Sequence, residues 1–148
     1  MRIFIDADAC PVVIKEIVYR AVIRTQTELI LVANRFLTIP FSALIKQITV
    51  PGGVDVADRR IVEEVQEGDL VITADIPLAD LVVNKFAIAL NPRGTLYTRE
   101  NIKHKLAMRN LMEQLRDNQQ ISGGPAVLNK MANQEFAKQL DKLLANRS

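Results

Sequence analysis

Short runs of apolar residues, separated by turn residues, recur along the first 94 positions of the chain. Runs of this length between Gly, Pro, Asn or Asp are typical of strands that are buried on both faces of a parallel sheet. They predict four strands and a weaker fifth, which stops at Pro51-Gly52-Gly53: Ile3–Ile5, Leu29–Ala33, Leu70–Thr73, Phe86–Leu90 and, as the weaker one, Ile48–Val50.

The intervals between these runs carry apolar residues at helical spacing. Pro11 suits the first position of a helix whose apolar positions continue to Val22. A second helix is predicted from about residue 55 to 66 and ends before Gly68, and a short third helix starts near Pro77. Because strands and helices alternate, we expect a three-layer α/β fold with a mostly parallel sheet of four to five strands and right-handed crossovers.

The strand pattern ends at Thr95, and the remaining residues predict a helical C-terminal extension. A length of 148 residues suits a single domain, so 95–148 is interpreted as an extension within one domain over 1–148. One helix is predicted over residues 98–117, and a final helix carries Phe136, Leu140 and Leu143 on its inner face. The loop around Gly123-Gly124-Pro125 has about fifteen residues, against a median of about 4–6, which indicates a mobile or functional segment.

Composition limits the class of protein. Hydrophobic residues form 49% of the chain and charged residues 24%, as in ordinary globular proteins. One cysteine excludes an intramolecular disulfide, and one Cys with one His argues against a zinc site. No apolar run approaches the ~20 residues of a membrane span, and acidic residues begin too early for a signal peptide. We therefore expect a soluble, cytoplasmic protein without a membrane partner.

The charge is unevenly distributed. Residues 1–94 carry 10 Lys/Arg and 12 Asp/Glu, a balance of −2, whereas residues 95–148 carry 9 and 5, a balance of +4. A basic tail is typical either of a well-solvated surface or of one that binds nucleic acid or phosphate. Lys105, Arg109 and Arg116 share one flank of the helix predicted at 98–117 and are the candidates for the second role.

Aspartates follow the predicted strands. Ligands of open α/β sheets bind beyond the carboxyl ends of the strands, so these positions are the first to consider. Two aspartates follow the first strand, two open the helix after Pro51-Gly52-Gly53, and one follows the strand at 70–73: Asp6, Asp8, Asp55, Asp58 and Asp75. Each of the last four, taken singly, is also explained by the start of a helix, where acidic residues are favoured.

Taken together, the five aspartates predict a cation site. Two carboxylates ~4 Å apart repel each other by about 4 kcal/mol at an effective dielectric constant of 20, so a cluster needs protons, a basic partner or a cation. The hard oxygen ligands favour Mg²⁺ or Mn²⁺, which typically bind substrate phosphate and activate water. Thr73 is a candidate for positioning a water or a phosphate oxygen, and is equally explained as a β-branched strand residue.

Four further residues are weaker candidates. Arg93, in the turn Asn91-Pro92-Arg93-Gly94, is placed to reach a phosphate, and Asn34 to line a pocket. Cys10 at a helix start would have a lowered pKa and act as a nucleophile, or be a buried structural thiol. His104 lies on the same stripe as Met108, Leu111 and Leu115 and is interpreted as a core residue.

Several motifs resemble those of the YaiI/YqxD family of uncharacterised bacterial proteins. They cover nearly the whole chain: DADACPV, VPGGVDVADRRIVEEVQEGDLVITADIPLA, NPRG, MRNLM and SGGP. That family is regarded as related to the PIN-domain-like fold, in which a parallel sheet carries clustered acids for metal-dependent RNA cleavage. The resemblance implies that Asp6 is the first PIN acid and that Asp58 and Asp75 are the later pair. Asp8 and Asp55 match only the narrower family pattern.

Three functions are compatible with these residues. The first is a PIN-like, Mg²⁺- or Mn²⁺-dependent nuclease or phosphodiesterase acting on RNA or another nucleic acid. In it, Asp6, Asp58 and Asp75 are catalytic and hold the metal, with Asp8 and Asp55 as further ligands. The second is a phosphatase of the haloacid-dehalogenase type with Asp6 as nucleophile. The third is a non-catalytic module that binds a metal or nucleic acid, favoured because only Glu16 and Glu28 are available as the intermediate PIN acid.

Overall fold

The computed structural model describes residues 1–117 and 130–146. Within them the chain forms six strands and five helices in the following order: β1 (Arg2–Asp6), α1 (Val12–Thr25), β2 (Glu28–Ala33), β3 (Ile45–Thr49), α2 (Val56–Glu64), β4 (Leu70–Ile72), α3 (Ile76–Asn84), β5 (Ile88–Leu90), β6 (Leu96–Tyr97), α4 (Ile102–Asp117) and α5 (Lys130–Ala145).

The six strands form one sheet in the order β3-β2-β1-β4-β5-β6. All neighbouring pairs are parallel except β5 and β6, which are antiparallel. The inner residues of β1, β2 and β4 are buried, because helices cover both faces of the sheet there. The chain extends to one side of β1 through β2 and β3, and then crosses to the other side at β4.

Alternate strand residues face two hydrophobic clusters, one on each side of the sheet. On one side, Ile3 and Ile5 pack with residues of α1 and α5, including Phe136. On the other side, Phe4 packs with residues of α2, α3 and α4. The protein therefore has three layers, α1 and α5 on one face and α2, α3 and α4 on the other, which is consistent with the PIN-like arrangement expected from the sequence.

The predicted α/β class and the five predicted strands are confirmed. The prediction that strands end at Thr95 is wrong, because Leu96–Tyr97 add a sixth, antiparallel strand at the sheet edge. A two-residue strand is too short to produce a periodic pattern.

None of the helices in the described ranges combines the length and the apolar character required to cross a bilayer.

The inner face of α4 also differs from the prediction. Ile102 is its fully buried residue, whereas Met108 and Leu111 are 41% and 47% exposed. His104 is exposed too, so its interpretation as a core residue is wrong. In α5, Phe136 and Leu140 are buried as predicted, and Leu143 packs at the margin of the core. The Gly123-Gly124-Pro125 loop lies outside the described residues.

Candidate functional site

The acidic residues lie at the point where the sheet reverses its strand order, between β1 and β4. Asp6 ends β1, and Thr73 and Asp75 directly follow β4. Neighbouring strands on the two sides of such a point send their connections to opposite faces, which leaves a crevice at their carboxyl ends. The helix α2, whose first turn contains Asp58, packs against β1 and β2 on one face and completes this crevice.

Asp6 and Asp58 form the centre of the site. Their carboxyl groups are close enough to affect each other's pKa, and a hydrogen bond between them would require that one of them keeps a proton. Burial, the nearby charges of Asp75, Asp6 and Asp55, and this hydrogen bond raise the pKa of Asp58 to about 6. Burial, followed by the charge of Asp8, also raises the pKa of Asp6. Asp58 is thus protonated under mildly acidic conditions, and the two carboxylates repel each other once it ionises.

Asp75 is fixed by two hydrogen bonds. Its Oδ1 accepts from the backbone N–H of Leu78 at 2.9 Å, so it caps α3 as one of the sequence readings predicted. Its own backbone N–H donates to Oγ1 of the buried Thr73 at 2.9 Å. Thr73 is therefore a positioning residue for Asp75. The cap leaves the second carboxylate oxygen of Asp75 for the site, and the charge of Asp75 acts on both Asp6 and Asp58.

Asp8 has partners of its own. One oxygen accepts from the backbone N–H of Asn34 at 2.7 Å, and the other forms an ion pair with Arg35 at 3.4 Å. These contacts tie the segment after β1 to the connection that follows β2. The side chain of Asn34 lines the same cleft as Asp6 and Asp8, as predicted. Asp8 consequently has less capacity for a cation than Asp6 or Asp58.

Asp55 does not act as a helix cap. Its backbone has a φ of 63°, in the left-handed region that aspartate tolerates better than most residues, and its side chain makes no capping hydrogen bond. Gly53, with a φ of 144°, allows the chain to enter this turn. Asp55 lines the clefts on either side of it, and its charge adds to the negative charge around Asp58.

The carboxylates are grouped but are not arranged as a finished metal cage. In the described part of the chain, no three His, Cys, Asp or Glu side chains lie in positions that would hold a metal ion. Their chemistry nevertheless fits Mg²⁺ or Mn²⁺, since all are hard oxygen donors and none of Asp6, Asp58 and Asp75 has an ion-pair partner within residues 1–117 and 130–146. Coordination would require loss of the Asp58 proton and movement of a third ligand toward the Asp6–Asp58 pair.

Three clefts surround the acidic residues, and each is named here for its position. The Asp6 cleft, of about 240 Å³, contains Asp6, Asp8, Asn34, Asp55 and Asp58. The α2–α3 cleft, of about 570 Å³, contains Asp55, Asp58 and Asp75 together with Arg59 and Arg109. The two clefts meet at Asp55 and Asp58. Arg59 was not predicted from the sequence; its position directly after Asp58 in the first turns of α2 was the available signal.

The third, or Tyr97, cleft has a volume of about 450 Å³ and a basic lining. It contains Arg93, Lys105 and Arg109, which the sequence indicated as phosphate contacts, and also His104 and Tyr97, which it did not. Arg109 pairs with Glu113 at 3.1 Å on the helix surface, an exposed contact that contributes little to stability.

Three sequence candidates lie apart from these clefts. Arg116 is exposed in the last turn of α4 and lines none of the three. Cys10 is buried, and burial raises its pKa to about 12, so the predicted lowering of its pKa is wrong. Burial of the thiol outweighs the attraction of Lys15 and any effect of the helix start. Glu16 is exposed on α1, and Glu28 lies at the opposite end of β2, paired with Lys46.

The fold and the site define a three-layer α/β protein with an acidic crevice at the switch point of a parallel sheet. The sequence profile described as "Uncharacterized BCR, YaiI/YqxD family" matches residues 4–146, and the chain belongs to this family.

Curated relatives bear the name UPF0178 protein. The one from Shewanella amazonensis is 57% identical over 98% of this chain and 97% of its own length. The relative from Hahella chejuensis is 55% identical over 100% of this chain and 99% of its own. No solved structure matches the chain.

Proposed function

We propose that the protein is a Mg²⁺- or Mn²⁺-dependent phosphodiesterase that cleaves RNA or another nucleic acid at the acidic crevice. The observation that supports this most directly is the Asp6–Asp58 pair, because two neighbouring, half-buried carboxyl groups with raised pKa values favour a proton or a cation between them. Near neutral pH the proton is lost and a divalent cation becomes the stabilising partner.

The neighbouring residues support hydrolysis of a phosphodiester. Asp6 and Asp58 would hold the ion, with Asp75 as the third carboxylate and Asp8 and Asp55 adding negative charge at its margin. A bound divalent ion supplies Lewis-acid stabilisation of a phosphoryl group and lowers the pKa of water. Thr73 keeps Asp75 in place through the hydrogen bond from the Asp75 backbone N–H.

Basic side chains beside the acids would bind the substrate backbone. Arg59 and Arg109 line the α2–α3 cleft together with Asp58 and Asp75. A guanidinium group contacts phosphate oxygens through two parallel hydrogen bonds, which fixes the phosphodiester as well as attracting it. Arg116 and Lys105 of α4 would assist the approach of the strand from farther away, in a salt-dependent manner.

The proposal is tested with a single-stranded RNA oligonucleotide that carries a fluorophore and a quencher. At pH 7.5 we expect cleavage with Mn²⁺ or Mg²⁺, none in EDTA, and loss of cleavage in Asp6→Asn, whose melting temperature should be equal or higher. Glu67→Gln removes the same charge from an exposed position distant from the crevice and should cleave at the wild-type rate. Cleavage that persists in Asp6→Asn or in EDTA would disprove the mechanism.

A non-catalytic, cation-binding module is the second candidate. It is favoured by the absence of a preformed three-ligand arrangement among the described residues and by the positions of Glu16 and Glu28 outside the crevice. Isothermal titration with Mn²⁺ distinguishes the two functions, because binding that requires Asp6 but never leads to cleavage leaves this function alone. The phosphatase reading is disfavoured, since α1 begins only a few residues after Asp8 and the sequence lacks a convincing late Lys followed by a paired acidic motif.

A further inference from the structure

We infer that the Tyr97 cleft binds a terminal phosphate monoester, so that the substrate strand is held by its phosphorylated end while the adjoining phosphodiester faces the acids. This inference rests on the proposed function and names its substrate class: nucleic-acid strands that end in phosphate.

The charge of the cleft supports an anionic ligand. Its lining contains no acid. Four residues that can carry positive charge line it: Arg93, His104, Lys105 and Arg109. A volume of about 450 Å³ accommodates a nucleotide-sized group. A phosphate monoester carries a charge of roughly −1.5 to −2 at pH 7, more than an internal phosphodiester, and concentrated positive charge therefore favours the end of a strand.

A chain of hydrogen bonds adds a neutral donor to this cleft. The backbone N–H of Arg93 donates to Oδ1 of Asn91 at 2.8 Å, which fixes the amide so that Nδ2 donates to the Tyr97 hydroxyl oxygen at 2.7 Å. Because that oxygen already accepts from Asn91, its hydrogen remains to be donated to another acceptor. The tight turn at Asn91-Pro92-Arg93-Gly94 thus orients a hydroxyl donor beside the basic side chains.

Lys105 completes the arrangement. Its ammonium group lies 6.0 Å from the centre of the Tyr97 ring, at the outer limit of a cation–π contact. Within the described residues it takes part in no ion pair. Its charge therefore remains available for an anionic ligand, and Lys105 is the residue whose replacement tests the inference most directly.

The Tyr97 cleft adjoins the acidic crevice. Ile76, which lines it, directly follows Asp75, and the charge of Asp75 acts on the Tyr97 hydroxyl. Arg109 lines both this cleft and the α2–α3 cleft. A strand with its terminal phosphate in the Tyr97 cleft would therefore pass Arg109 and present its next phosphodiester to the acids.

Binding is measured by fluorescence anisotropy in EDTA, where no cleavage occurs, with full-length protein and a labelled single-stranded oligonucleotide. The strand carries a 5′-phosphate, a 3′-phosphate or hydroxyl groups at both ends. We expect one phosphorylated strand to bind about tenfold or more tightly than the hydroxyl strand. Lys105→Gln should abolish this preference, and Lys103→Gln, an exposed lysine on the same helix that lines no cleft, should retain it.

Competition identifies the source of the phosphate. A nucleoside monophosphate should displace the phosphorylated strand at lower concentration than inorganic phosphate does. Equal binding of all three strands, a preference that survives Lys105→Gln, or inorganic phosphate as the better competitor would each overturn the inference. Because these measurements require no metal and no cleavage, they fail independently of the proposed function, which fails when no divalent ion supports cleavage.

Discussion

Replacement of Asp58 by Asn should make the protein more stable at neutral pH. The change keeps the size of the side chain and its ability to hydrogen-bond Asp6, and it removes one negative charge from the crevice. Burial and the charges of Asp75, Asp6 and Asp55 raise the pKa of Asp58 from 3.8 to about 6. The ionised form present at pH 7.5 is therefore the unfavourable one in the folded state.

The expected size follows from the same pKa. The native protein holds a proton at Asp58 that the unfolded chain releases, so this carboxyl stabilises the fold below pH 3.8 and the contribution is lost as the pH rises through about 6. At about 1.36 kcal/mol per unit of pKa the full difference is about 3 kcal/mol. Because the group is partly open to solvent, we halve this value to about 1.5 kcal/mol. For a chain of this length, that corresponds to about 3–6 °C in melting temperature.

The assay is thermal unfolding followed by circular dichroism in EDTA at pH 7.5 and pH 4. Asp58→Asn should melt above the wild type at pH 7.5 and close to it at pH 4, where the wild-type carboxyl is already protonated. Glu67→Gln should change neither value. In a parallel series at pH 7.5 without EDTA, Mn²⁺ should raise the melting temperature of the wild type more than that of Asp58→Asn. A variant that melts at or below the wild-type temperature at pH 7.5 would refute the repulsion on which the site depends.

Two further predictions concern residues that position the site. Gly94→Ala should lower the free energy of unfolding by about 2–4 kcal/mol in chemical denaturation, because φ is 95° and the new Cβ would lie 2.7 Å from Cγ of Glu135. Gly68→Ala introduces similar backbone strain, but its new Cβ would meet no neighbouring atom, so it should lower the free energy of unfolding by only about 1–2 kcal/mol. Equal losses of stability in the two variants would contradict the predicted clash with Glu135. Thr73→Val should lower the free energy of unfolding by about 1–3 kcal/mol and slow any metal-dependent cleavage, because the Asp75 N–H loses its acceptor. Thr73→Ser keeps the hydroxyl and should retain both the stability and the cleavage rate. A Val variant with unchanged stability and cleavage would disprove this role.

The strands and their burial were predictable, because a parallel sheet between two helical layers requires short, wholly apolar runs. The acids at strand ends were predictable for the same reason, since a strand boundary in the sequence marks a definite edge of the sheet. Asp6 and Asp75 could thus be assigned to one edge, although their relation to a particular helix face could not.

Other features depend on contacts between distant segments. The sequence could not distinguish Asp8, which is tied to Asn34, from Asp55, whose carboxylate caps nothing, because both simply precede helices. The pKa of Cys10 is raised by the tertiary packing around it, against the local tendency of a helix start. Tyr97 is positioned in its cleft by a two-residue strand and by a turn, and neither segment has a periodic pattern in the sequence.

The position of α5 has a consequence for how the molecule holds together. Phe136, Leu140 and Leu144 are buried against the sheet face that α1 also covers, and Arg24 of α1 pairs with Asp141 at 2.6 Å. Burial of three such side chains contributes about 1.5–3 kcal/mol each, a sum comparable with the roughly 5–15 kcal/mol that stabilises a whole domain. Proteolytic removal of this last helix should therefore unfold the parallel sheet. The first and last thirds of the chain unfold together, as one cooperative unit.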